Sequence, residues 1–189
     1  MPSDLEPAFA VWLTGLPASG KSTVARALVA ELHAMGIRPA VLESDVMRRE
    51  ITPNATYGEA ERDAFYATLA YLARALVEHG VPVIVDATAN RRTYRDRARA
   101  AIPRFLEAHV RCPLAVCQAR DPKGIYRRGA EGTARNVPGV SAPYEPPLMP
   151  EVVVDGERND PAVAARRIIA ALEARGFLAR GTGGKAKTG

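Results

Sequence analysis

Gly15-Leu16-Pro17-Ala18-Ser19-Gly20-Lys21-Ser22 follows an apolar run at residues 9–13 (FAVWL). It precedes a stretch in which Val24, Leu28 and Leu32 recur at helical spacing. The octet matches G-x-x-x-x-G-K-[ST] in full. Glycines let the backbone curl so that successive N–H groups face phosphate oxygens, and a helix opening near Lys21 aims its positive dipole end at the same anion. Lys21 is placed to reach the β- and γ-phosphates, and the Ser22 hydroxyl to ligate magnesium. The competing reading is a chance glycine turn. The strand before and the helix after are the context that separates the two. Residues 15–23, Thr23 included, are therefore expected around ATP and Mg2+.

Outward from this loop the chain alternates. Residues 39–42 (PAVL), 81–87 (VPVIVDA), 105–110 and 151–154 (EVVV) read as buried strands. Between them, Phe65, Leu69, Leu72 and Leu76 mark a helix over residues 62–79, stopped by Gly80. Residues 92–101 read as a polar, arginine-rich helix and 114–120 as a short one, and Pro161 opens a last helix through Arg175. Such alternation predicts an α/β three-layer sandwich of the P-loop NTPase type: a mostly parallel five-stranded sheet, helices on both faces and a basic lid. One kinase domain is expected over residues 9–178, between an N-terminal extension (1–8) and a flexible glycine-rich tail (179–189). Residues 121–150, rich in Gly, Pro and charge without clear periodicity, are the expected lid.

The 189 residues are 47% hydrophobic and 25% charged, an ordinary globular balance. No apolar run approaches the ~20 residues of a membrane span. Residues 1–7 carry Asp4 and Glu6 and lack a basic, apolar leader, so a cytoplasmic location and no membrane partner are expected. The net charge of +5 suits a phosphate-rich small ligand. The arginines are not gathered into a stripe interleaved with aromatics, so no nucleic-acid partner is expected. Cys112, Cys117, His33, His79 and His109 match neither a disulfide framework nor a metal spacing.

Two acids stand at expected strand ends. Asp45 reads either as a base or orienting group near the γ-phosphate, with a magnesium-water ligand as a variant, or as a helix N-cap. Asp86 reads as a holder of the magnesium water shell or as a capped strand end. Asn90, with Arg91 and Arg92, would line an acceptor pocket or open a solvated helix. Arg120, Lys123, Arg127, Arg128 and Arg135 outnumber Asp121 and Glu131 across residues 120–135. Such a basic segment suits phosphate oxygens and water exclusion, the alternative being a solvated charged helix.

The stretch 117–126 (CQARDPKGIY) resembles the C-E-A-R-D-P-K-G-L-Y segment of adenylyl-sulfate kinases. Residues 140–147 (VSAPYEPP) are similar to that family's I-D-S-P-Y-E-x-P, and 15–23 (GLPASGKST) is its usual phosphate loop. The resemblance covers about residues 9–155. It implies ATP- and magnesium-dependent phosphorylation of the 3′-hydroxyl of adenylyl sulfate, giving 3′-phosphoadenylyl sulfate for sulfate assimilation, in a family whose members often form homodimers. By position it makes Asp45 catalytic, acting on the 3′-hydroxyl, beside Lys21, which the phosphate loop itself marks as catalytic. It sets Arg48, Tyr57, Arg62 and Arg135 on the acceptor, while Arg120 and Lys123 of the basic segment are expected on ATP. The departures lie on the acceptor side. Glu43 replaces the first acid of D-G-D-N, with Ser44 and Val46 for its glycine and asparagine. Residues 51–56 show no L-N-x-x-L-G-F segment. Thr88-Ala89-Asn90 replaces I-S-P after the added acid Asp86, and Val137 replaces a phenylalanine that stacks on the acceptor adenine. On this reading Val137→Phe would tighten adenylyl sulfate. Two other functions fit the bare residues: a P-loop kinase for another small hydroxyl compound or modified nucleotide, and a nucleotide-binding switch without transfer.

Overall fold

The computed structural model describes residues 8–179. Residues 1–7 and 180–189, which hold most of the expected extension and tail, lie outside the described residues. The strands are β1 (Ala10–Thr14), β2 (Ala40–Glu43), β3 (Val83–Asp86), β4 (Phe105–Arg111) and β5 (Val152–Asp155). The helices are α1 (Lys21–Ala34), α2 (Ser44–Ile51), α3 (Glu59–Glu78), α4 (Arg92–Ala101), α5 (Leu114–Arg120), α6 (Ile125–Ala130) and α7 (Pro161–Ala174). The strands pair in the order β2-β3-β1-β4-β5, and every pairing is parallel, where a mostly parallel sheet was predicted.

β1 explains why its sequence is apolar without alternation. Val11 and Leu13 face one layer, where Leu28 and Leu32 of α1 and Ile168 and Leu172 of α7 pack. Ala10 and Trp12 face the other, against Phe65, Leu69 and Ala73 of α3 and Tyr94 and Ala98 of α4. A strand buried on both faces has no solvent side to mark with polar residues. A third, smaller cluster of Cys112, Cys117, Tyr126 and Val137 sits beneath the segment after α5.

Two sequence expectations change. Residues 121–150 are not structureless: α6 forms within them. The Asp121 carboxylate accepts the N–H groups of Ile125 (2.7 Å) and Arg127 (2.9 Å), satisfying donors at the start of α6. A six-residue helix is too short to print a period on the sequence. Helix α4 is not a plain solvated helix. Arg95 is 1% exposed, and its Nε donates to Glu107 Oε1 of β4 at 2.7 Å. Charge inside the core is invisible to a pattern that sorts residues by polarity.

Candidate functional site

A cleft of about 1040 Å³ opens at the carboxyl ends of the strands. Its floor is the loop between β1 and α1. Gly20 caps α1 at φ 100°, a conformation that strains any side chain. A Cβ on Gly15 would stand 2.4 Å from the Val110 carbonyl oxygen, so the loop passes too close to β4 for any other residue. Pro17, Ala18, Gly20, Lys21, Ser22 and Thr23 border the cleft, with Gly15, Leu16 and Ser19 behind them. Lys21 is 8% exposed, and its ammonium donates to the carbonyls of Gly15 (3.1 Å) and Leu16 (2.9 Å). Burial lowers its pKa, and the charges of Asp86 and Asp45 oppose that shift. The loop carbonyls hold the ammonium at the N-terminus of α1, where a cation and a helix dipole together suit a phosphate chain.

Asp86, at the end of β3, is buried at the cleft's edge. With Ser22 it offers two hard oxygen donors beside the lysine. Among the described residues no group of three or more His, Cys, Asp or Glu could hold a metal. Two protein oxygens fit magnesium, which keeps waters and takes phosphate oxygens. β2 runs into α2 without a loop, so Glu43 is the N-cap and Asp45 lies in the first turn. The N-cap reading of Asp45 is thereby corrected. Its carboxylate is exposed to the cleft and pairs with Lys123, which follows α5.

The far wall comes from α2, α3 and the loop between them. Arg48 is buried, its guanidinium 3.9 Å from the Phe65 ring centroid and 5.0 Å from that of Tyr57. Tyr57 is 43% exposed and has φ 57°. Glu61 holds that turn: its carboxylate accepts Thr56 N–H (2.6 Å), Thr56 Oγ1 (2.7 Å), Tyr57 N–H (3.3 Å) and Arg48 Nη1 (3.2 Å). Burial would raise its pKa, but these hydrogen bonds and the Arg48 charge outweigh it and hold the carboxyl below its usual range. Arg62 donates through Nη1 to Asn90 Oδ1 (3.0 Å) and through Nη2 to the Asn136 carbonyl (2.5 Å). Asn136 Nδ2 returns to the Tyr57 carbonyl at 3.0 Å. Asn90 itself is 3% exposed and does not border the cleft.

The segment after α5 closes the remaining side. Arg120 Nη1 donates to the Gly156 carbonyl in the β5–α7 turn (2.7 Å), and Tyr126 Oη to the Pro17 carbonyl of the phosphate loop (2.9 Å). Arg135 is exposed and borders the cleft. Val137 touches the cleft but is 1% exposed and packs with Cys112, Cys117 and Tyr126. A Cβ on Gly129 would already meet its Cγ2 at 3.0 Å. A phenylalanine there would overfill the cluster, which corrects the expectation that it supplies a stacking face. Sequence reasoning missed Glu61, Tyr126, Asn136 and the β5–α7 turn. Two of these left a signal: Glu61, an acid beside Arg62 one turn from Tyr57, and Tyr126, the last residue of the 117–126 segment.

The family model for adenylylsulphate kinase matches residues 7–155. The chain belongs to the adenylylsulphate kinase family. A probable adenylyl-sulfate kinase of Archaeoglobus fulgidus is 40% identical over 152 residues, 80% of this chain and 98% of that protein. The adenylyl-sulfate kinase of Gloeothece citriformis is 36% identical over 168 residues, covering 89% of this chain and 96% of its own. The fold superposes on the APS kinase of Mycobacterium tuberculosis solved with AMPPNP and APS. The TM-score is 0.83 at 30% identity, over 88% of this chain and 98% of the other. No helix among the described residues is long and apolar enough to cross a membrane.

Proposed function

We propose that this cleft transfers the γ-phosphate of ATP to the 3′-hydroxyl of adenylyl sulfate. The observation that carries the reading is one continuous cleft joining the phosphate loop to the Asp45, Arg48, Tyr57 and Arg62 wall. Its volume stands at the upper end of the range for a single ligand, which leaves room for a donor and an acceptor together. Family membership names the pair of substrates.

Lys21 and the loop N–H groups would bind the β- and γ-phosphates, and Ser22 and Asp86 would hold magnesium through oxygen and water. When bound, magnesium neutralises charge on the β- and γ-oxygens. Asp45 would accept the proton of the acceptor hydroxyl as its oxygen bonds to the γ-phosphorus and the bond to ADP breaks. Tyr57 offers a ring for the acceptor base, with Arg48, Arg62 and Arg135 on the acceptor side. Arg120 and Lys123 would lie over ATP. Pairing of Lys123 with Asp45 shows how far that residue reaches across the cleft. We further propose a lid over residues 121–150 and a homodimer, the latter checked by sedimentation.

Incubation with ATP, magnesium and adenylyl sulfate should yield a product heavier by one phosphoryl group in mass detection. Release of free phosphate alone would overturn the reading in favour of a switch or ATPase. Transfer to another hydroxyl compound alone would move it to a different acceptor.

A further inference from the structure

Asn90 sits where three segments meet. Its Oδ1 accepts from Arg62 Nη1 of α3 at 3.0 Å, and its Nδ2 donates to the Pro143 carbonyl at 2.8 Å. Its own carbonyl accepts Glu145 N–H at 2.8 Å. Arginine only donates and a carbonyl only accepts, so the amide has one orientation that satisfies both. The loop that presents it is held from both sides. Ala89 has φ 41°, its N–H donates to Tyr66 Oη at 3.1 Å, and its carbonyl accepts from the buried Arg95. Such a conformation persists only where surrounding bonds over-determine it. Beyond Asn90, Arg62 grips the Asn136 carbonyl, and Asn136 grips Tyr57.

We infer that Asn90 is a positioning residue for the acceptor half of the cleft: it acts through Arg62 and does not touch the acceptor. The inference rests on the function proposed above. The Asn90 amide is buried and does not border the cleft, with the oxygen on Arg62 and one N–H on the Pro143 carbonyl. Without the Oδ1 acceptor, Nη1 of Arg62 loses its partner in a nearly dry site, and the guanidinium loses the bond that fixes its angle. The Asn136–Tyr57 link, built on the same guanidinium, would loosen with it. The loop under ATP is not part of this chain of bonds.

The test compares Asn90→Ala, Asn90→Asp, Arg62→Ala and Arg62→Ala/Asn90→Ala, each with a thermal melt and separate KM values for adenylyl sulfate and ATP. Asn90→Ala should raise the KM for adenylyl sulfate on the order of 10-fold, with KM for ATP little changed. Asn90→Asp keeps an oxygen for Arg62 but sets its second oxygen against the Pro143 carbonyl, so it should recover part of the loss in KM for adenylyl sulfate at a lowered melting temperature. In the Arg62→Ala background, Asn90→Ala should add less than about 2-fold, since the group it acts through is gone. If Asn90 met the anionic acceptor directly, the new carboxylate would repel it, and Asn90→Asp would be worse than Asn90→Ala. That result overturns the inference, as do independent effects of the two alanines, or parallel loss of melting temperature and of both KM values. A wild-type protein that never phosphorylates adenylyl sulfate overturns the proposed function and this role with it. An active wild type with the wrong Asn90→Asp result overturns this role alone.

Discussion

Asp45 shows how a single carboxylate changes meaning once its place in a turn is known. As an N-cap it would donate stability; in the first turn of α2, facing the cleft, its charge is available to an acceptor hydroxyl. Asp45→Asn is expected to lower transfer by ~10²–10⁴-fold with KM for ATP nearly unchanged. Its pair with Lys123 is solvent-exposed on both sides, so unfolding stability should fall by ~1 kcal/mol or less. A melt beside a transfer assay reads both. Val137 reverses in the other direction. The sequence placed it where a stacking ring belongs, but its side chain is part of the packed cluster under Tyr126. Overpacking a filled core costs ~1–3 kcal/mol. Val137→Phe should therefore lower the melting temperature and leave adenylyl sulfate no tighter; a lower KM in a protein of undiminished stability would refute this placement.

Helix α4 is the element most different from its sequence impression. Arg95 and Glu107 form a buried pair, and Arg99 joins Glu107 (3.2 Å) and Glu151 (2.6 Å), which also meets Arg175 (3.2 Å). Hydrogen bonds and charge from Arg99 outweigh burial and keep the Glu151 carboxyl below its ordinary range. The network docks α4 on the sheet and, through Arg95 Nη2 to the Glu145 carbonyl (2.6 Å), anchors the chain leaving the segment over the cleft. Removing one member of a buried pair strands the other. Arg95→Leu is expected to cost about 3 kcal/mol, the low end for such a loss because Arg99 still reaches Glu107. Arg95→Leu/Glu107→Leu should recover part of that in urea unfolding. If the double variant is less stable than the single by the full cost of a second loss, the pair is not the source of the effect.

Across the whole molecule, strand order brings the site together. β1 is central, with β3 and β4 beside it, so the phosphate loop, Asp86 and the segment after β4 and α5 converge on one edge. A ligand seated there stabilises the fold by mass action, about 2.7 kcal/mol at a hundred times its dissociation constant. ATP with magnesium should raise the melting temperature of the wild type. Lys21→Ala should fold, lose most of that rise, and transfer ~10²–10³-fold more slowly. A full ATP shift and wild-type turnover in Lys21→Ala would sink the phosphate-loop assignment. The parallel sheet, the alternation of strands and helices along the chain and the phosphate loop were legible because each is written locally. An apolar run marks a strand buried on both faces, a period of three and four marks α3, and glycines mark a loop whose backbone must approach another strand. Residues 117–126 named the family for the same reason, as a contiguous segment. The acceptor wall was legible only as residue types. Which side chain faces the cleft, and which supports one that does, is decided by packing between distant segments. Arg62 meets Asn90 and Asn136 from 28 and 74 residues away, and no local pattern records that meeting. Val137 turned inward, Asn90 became a brace and Glu61 became the keeper of Tyr57. In each case buried hydrogen-bonding groups must find partners and packed volume must be filled, and only the closed fold determines who is near enough to do either.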